Sequence, residues 1–161
     1  MIDLDRLTEW LAKEWPWSRV VLATFTYPIL WTSLEISFFS LPSSHTATFA
    51  TVLQYLSPSY LLTAFMEEVA FRLIPLFLGG LALKEYLTKG YPNPKIFIVA
   101  LAASIAFAIG HDWEGVPRFV GLTIFGMVMS VLYLKCGGSK RGSPAGAARG
   151  VAAATIAHWL S

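Results

Sequence analysis

The residues of this sequence best placed to do chemistry lie inside apolar runs, where a charge is costly. Residues 66–75 read MEEVAFRLIP, so Glu67, Glu68 and Arg72 share one apolar stretch. An ionisable group in such a stretch is functional by default, because removing it from water is expensive. Glu68 and Arg72 are four residues apart with the carboxylate N-terminal, the spacing at which two helical side chains face each other and pair. Glu67 is turned about 100° from Glu68 on a helix of about 3.6 residues per turn. It therefore has no partner on its own helix and must find one elsewhere. A carboxylate held that way is a candidate general base if a polar group stands opposite. The competing reading of the triplet is a structural polar knot between helices.

Two histidines close later apolar runs. His111 follows Phe107 by four residues, and His158 lies near the end of the chain. Gly146, Gly150, Ala154 and His158 form one stripe at four-residue spacing. Small residues let helix backbones approach closely in a membrane, so His158 projects from a face that packs on another helix. If the run beginning at Tyr60 crosses from outside to inside, Glu67 lies about 10 Å below the outer boundary, at about 1.5 Å per residue. His111 and His158 end runs that cross the other way, at a similar depth. A carboxylate and two imidazoles at one level can activate a water and stabilise an oxyanion.

The elements that must position these groups are read from composition. The chain has 161 residues, of which 55% are apolar and 14% charged, well below the roughly 25% charged residues of soluble domains. Mean hydropathy is +0.58. The predicted fold is all-α: a polytopic transmembrane bundle with about five spans, over residues 20–41, 60–83, 96–110, 119–134 and 144–160. An amphipathic helix over residues 1–19, with Trp10, Trp15 and Trp17 at the interface, lies on the bilayer. Residues 1–161 read as a single membrane domain without repeats. The two longest runs can each cross about 30 Å of hydrocarbon. The shorter ones suit a protein that thins the bilayer around a polar site.

Other classes are excluded or left open by composition. A net charge of +2 gives no field for nucleic acid. The single cysteine, Cys136, rules out an internal disulfide,. Asp3, Asp5 and Glu9 are incompatible with the basic start of a signal peptide. Lys and Arg gather before the first span, in residues 84–95 and in residues 135–149, whereas Arg118 lies alone on the other side. The positive-inside rule then places the N-terminus and both basic loops in the cytoplasm.

At the level of motifs, Glu67-Glu68-Val-Ala-Phe-Arg72 resembles the EExxxR motif of the CPBP family. That family includes the type II CAAX prenyl endopeptidases, bacteriocin-processing enzymes and Abi-type intramembrane glutamate proteases. Phe107-Ala-Ile-Gly-His111 resembles the family's FxxxH motif, and His158 resembles the histidine of its third motif, HxxxN or HxxxD. The resemblance covers roughly residues 60–161. It implies a helical membrane bundle around a hydrated cavity, in the cell membrane of a prokaryote. It further implies an endopeptidase acting on a membrane-associated, prenylated peptide or lipidated protein. In it Glu67 activates the water with His111, His158 stabilises the oxyanion, and Glu68, Arg72 and Phe107 shape the site. No cofactor and no metal are expected; membrane lipid and the substrate are the expected partners. The third motif's Asn or Asp would fall at position 162, one beyond Ser161. Three further readings stand beside this one. The chain could be an inactive family member serving as a membrane scaffold. Glu67 and the two histidines could bind zinc in a metal-dependent hydrolase. The two histidines could ligate haem, which would leave the EExxxR cluster unexplained. Signatures of zinc (HExxH), serine (GxSG) and aspartate (GxGD) proteases are absent from the sequence.

Overall fold

The computed structural model describes residues 10, 13–39, 57–82, 95–111, 115–138 and 144–161, and the regular structure among them is helical throughout. Helix α1 is Trp17–Phe39. Helix α2, Pro58–Glu68, runs directly into a π-helical segment, Val69–Leu73, and then into α3, Ile74–Ala82. Helices α4, α5 and α6 are Lys95–Ile109, Val116–Lys135 and Pro144–Trp159. Prolines open α2, α5 and α6. In the first turn a missing N–H breaks no helical bond, and the fixed φ suits the helix.

The start of the chain departs from the predicted interfacial helix over residues 1–19. Residues 13–16 are not helical, and residues 17–19 already belong to α1. The break is Pro16, which disfavours helical backbone at the residue before it. Its carbonyl then starts the new helix, accepting the N–H groups of Arg19 and Val20 at 2.9 and 3.2 Å. Residues 1–9, the connection around residues 42–56 and most of the two basic loops lie outside the described residues. Lys135, read from sequence as a loop residue, is instead the last residue of α5 and is buried.

Helix α4 packs most extensively on α5, and α6 packs against both α2 and α5 while α1 covers α5 and α6. The π-segment touches α4, α5 and α6, so it lies where the bundle converges. Close approach depends on small residues. A Cβ at Gly150 of α6 would come within 2.7 Å of Tyr133 Cδ2 and 2.8 Å of the Tyr133 carbonyl on α5. A Cβ at Gly126 of α5 would come within 2.8 Å of Ser104 Cβ on α4. The core around the site contains Phe107, Phe125, Trp31, Met129 and Ala154, and a second core contains Leu76, Ile96 and Tyr133.

The polarity of the bundle is partly inverted. Glu68, Arg72, Ser104 and Ser130 are buried, while Leu22, Ile29, Leu62, Ile98 and Ile109 are more than half exposed. Among the described residues one helix, Val116–Lys135, is long and apolar enough to cross a membrane, and Lys95–Ile109 is a shorter apolar helix.

Candidate active site

Glu67 and Glu68 are the last two residues of α2, and the backbone changes its repeat immediately after them. The Ile74 N–H donates to the carbonyl of Val69, five residues back rather than four. Such π-turns are rare and concentrate at functional sites. Arg72 lies within this segment. Its Nη1 is 3.3 Å from Glu68 Oε1, and neither side chain has any exposure. The pair expected from the four-residue spacing is thus present and sealed from solvent.

Helix α6 presents His158 to both carboxylates. Its Nδ1 lies 2.8 Å from Glu68 Oε1, and its Nε2 lies 3.5 Å from Glu67 Oε2. An ionised carboxylate only accepts, so Nδ1 carries the proton given to Glu68. One imidazole therefore bridges two successive carboxylates that point in different directions from their helix. The small residues Gly146, Gly150 and Ala154 on the same stripe are buried, which is what brings this histidine so close.

Helix α4 supplies His111 just beyond its end. His111 Nδ1 is 2.8 Å from the Phe107 carbonyl. A carbonyl cannot donate, so Nδ1 carries a proton here too. The imidazole is set tilted against the Phe107 ring, 4.3 Å away between centroids. Its Nε2 then faces Glu67 Oε2 across 3.9 Å. That separation is too long for a direct hydrogen bond and is suited to a water that bonds to both groups.

Exposure divides the cluster into two layers. Glu67 is 27% and His111 32% exposed, whereas Glu68 and Arg72 are at 0%. Phe107 separates the layers. Its ring lies 4.5 Å from Arg72 Cζ, 5.7 Å from the His158 ring and 5.8 Å from the Phe125 ring. In the inner layer, Glu68 Oε2 and the Arg72 nitrogens have no hydrogen-bond partner. Buried polar atoms left that way are costly.

The structure thus brings together all six residues singled out from the sequence: Glu67, His111 and His158 around one carboxylate oxygen, and Glu68, Arg72 and Phe107 behind them. Two features were missed. Glu68 forms an ion pair with Arg72 and also accepts a hydrogen bond from His158. Phe125 of α5 lies 5.0 Å from the His158 ring, backed by Trp31 of α1 at 5.3 Å. Both are apolar residues in apolar runs, and no sequence signal distinguishes them. Among the described residues, no group of three or more His, Cys, Asp or Glu side chains is arranged to hold a metal ion.

A family model described as type II CAAX prenyl endopeptidase, Rce1-like, matches residues 49–161, more than half of the chain. No curated protein and no solved structure matches.

Proposed function

The chain belongs to the Rce1-like family of type II CAAX prenyl endopeptidases, and from that premise we propose that it cleaves a peptide bond of a membrane-bound, lipid-modified substrate with a water activated by Glu67. The observation that carries this reading is the convergence of two imidazoles, from two other helices, on one oxygen of Glu67. A water between Glu67 Oε2 and His111 Nε2 is within reach of a base on one side and is held by an imidazole on the other.

In this mechanism the water oxygen attacks the scissile carbonyl carbon while its proton passes to Glu67. The carbonyl oxygen becomes an oxyanion and accepts a hydrogen bond from His158 Nε2–H. Donation from Nε2 requires the doubly protonated ring, with Glu68 accepting at Nδ1. Arg72 keeps Glu68 oriented and offsets its charge. Collapse of the tetrahedral intermediate breaks the C–N bond, and Glu67 returns its proton to the leaving amine.

The same proposal places all of residues 1–161 in the membrane as one multi-pass domain. The five crossings are α1, the continuous α2–α3 rod, α4, α5 and α6. An apolar exterior around buried charge supports it. The Lys and Arg distribution orients the N-terminus toward the cytoplasm and the Glu67 layer toward the opposite side.

The test is hydrolysis of farnesylated and unmodified peptides by purified protein in proteoliposomes, with Glu67→Gln as control. The amide is close in shape but cannot take the proton. Retained cleavage by Glu67→Gln would remove Glu67 as the base. Activity lost to a chelator and restored by zinc would transfer the chemistry to a metal held by the same three residues.

A further inference from the structure

One turn before His158, α6 carries a second polar group with no use inside the protein. Thr155 is buried, and its Oγ1 has no hydrogen-bond partner. Five other helical Ser and Thr hydroxyls are satisfied within their own helix. Thr24, Thr63, Ser104, Thr123 and Ser130 each donate to the carbonyl four residues earlier, at 2.8, 3.1, 2.7, 2.9 and 2.9 Å. Back-bonding of that kind satisfies a hydroxyl locally inside a helix. Thr155 has the Val151 carbonyl at the same spacing and does not bond to it. A buried hydroxyl left without a bond is costly, so its orientation calls for a partner from outside the resting chain.

The surroundings say where that partner comes from. Thr155 lines a groove of about 710 Å³ between α2 and α6, and it is the only polar side chain among the groove's lining residues. Leu61, Phe65, Val69, Val151 and Ile156 form apolar walls. Val69 follows Glu68 in the chain and Thr155 precedes His158 by one turn, so the groove has a residue close in sequence to the site on each of its two walls. Leu62 and Phe65 on its rim are themselves exposed, which opens it to the surroundings of the bundle.

We propose that Thr155 is a substrate-positioning residue whose hydroxyl donates a hydrogen bond to a backbone carbonyl of the substrate, one peptide group from the scissile bond. The inference rests on the endopeptidase reading above. Three residues along α6 separate Thr155 from His158 by about 4.5 Å, and an extended chain advances about 3.3 Å per residue. A substrate carbonyl at His158 Nε2 therefore brings a neighbouring peptide group level with Thr155. A hydrocarbon chain alone would match the walls but leave the hydroxyl unsatisfied; a peptide backbone lying along the groove satisfies it.

The experiment compares wild type, Thr155→Val and Thr155→Ser in two assays: cleavage of a farnesylated peptide, and binding of the same peptide with its scissile amide reduced to a methylene-amine. Loss of one hydrogen bond predicts a Kd raised about five- to tenfold in Thr155→Val. A similar fall in kcat/KM and an unchanged or higher melting temperature are expected with it. Thr155→Ser keeps the hydroxyl and is expected within about twofold of wild type, because the bond that sets affinity is retained. Thr155→Ala replaces the valine variant if that one does not fold. Unchanged Kd and kcat/KM in Thr155→Val, while Glu67→Gln is inactive, would overturn this inference and leave the endopeptidase reading standing. A lowered melting temperature with equal losses in the serine variant would make Thr155 structural and overturn it as well. Failure of wild type to bind the uncleavable peptide would overturn both.

Discussion

Arg72 and Lys135 are both buried cations in an apolar bundle, and the protein holds them in different ways. Arg72 sits against a carboxylate, Glu68, and over the ring of Phe107, with guanidinium N–H groups that make no hydrogen bond. Lys135, at the C-terminal end of α5, has no such surplus. Its ammonium donates to the carbonyls of Trp10 and Lys13 and lies 3.7 Å from the Trp10 ring centroid, while Trp15 N–H donates to the Lys135 carbonyl at 3.0 Å. Neutral dipoles and an aromatic face neutralise a charge without adding another ionisable group. Lys135 thereby ties the chain before α1 to the end of α5. Around Arg72 the polar neighbours are themselves titratable: Glu68 pairs with it, and His158 joins Glu68 to Glu67, which makes a reactive cluster rather than a tie.

Glu67→Gln should separate these regions most widely. Removing a positioned base costs about 10²–10⁴-fold in rate, with the melting temperature preserved, because Glu67 is part-exposed and its partners are at 3.5 and 3.9 Å. Lys135→Met should leave cleavage near wild type. Equal losses of rate in the two variants would dissolve the distinction.

Next in size is the stability effect of breaking the inner pair. Glu68→Gln or Arg72→Met leaves one buried charge uncompensated, which costs about 3–5 kcal/mol. Thermal unfolding in detergent should show this as a large drop, accompanied by lost activity. Lys135→Met removes a charge whose partners are neutral, and about 1 kcal/mol is expected from the lost cation–π contact. A Lys135 variant that melts as low as the Arg72 variant would mean that the tie at the end of α5 is as costly to break as the inner ion pair.

The smallest effect concerns Cys136, next to Lys135 in the turn after α5. Burial pushes its thiol up to about 11. Since the thiolate is the reactive form, alkylation near neutral pH should be slow in the folded protein and fast after denaturation. Cys136 is therefore silent from either side of a membrane, and orientation must be read from introduced cysteines. In a Cys136→Ser background, a cysteine at Ser44 should react with an impermeant reagent in intact cells, and one at Lys89 should not. The reverse pattern would place the Glu67 layer on the cytoplasmic side.

How far the sequence exposes these features follows from their chemistry. Glu67, Glu68, Arg72, His111 and His158 stand out because charge inside an apolar run is rare, and helical periodicity states which of them face each other. Helix ends are legible to within a few residues. The run read as 119–134 begins at Val116 in the structure, because Pro117 acts as a first-turn residue rather than a breaker. Phe125, Trp31 and the burial of Lys135 are not legible. Apolar residues in apolar runs carry no mark of which neighbour they meet, and a lysine at a helix end looks like any loop cation. Thr155 is hidden for a related reason: its type predicts a local bond to Val151, and in the folded chain this bond is not made.

The π-segment has a consequence for how the rod from Pro58 to Ala82 tolerates change. Its wider turn stores a residue that the α-helical repeat on either side does not count, so across it residue spacing no longer states which side chains share a face,. Deleting Ala70 would let the rod close into one uninterrupted repeat. Arg72 would then sit three residues from Glu68 instead of four, while α3, freed of the extra residue, would keep close to the faces it now presents,. A deletion here is thus a local change at the Glu68–Arg72 pair, whereas the same deletion in the regular helix just before it is a phase error that turns Leu76 away from the core by about 100°.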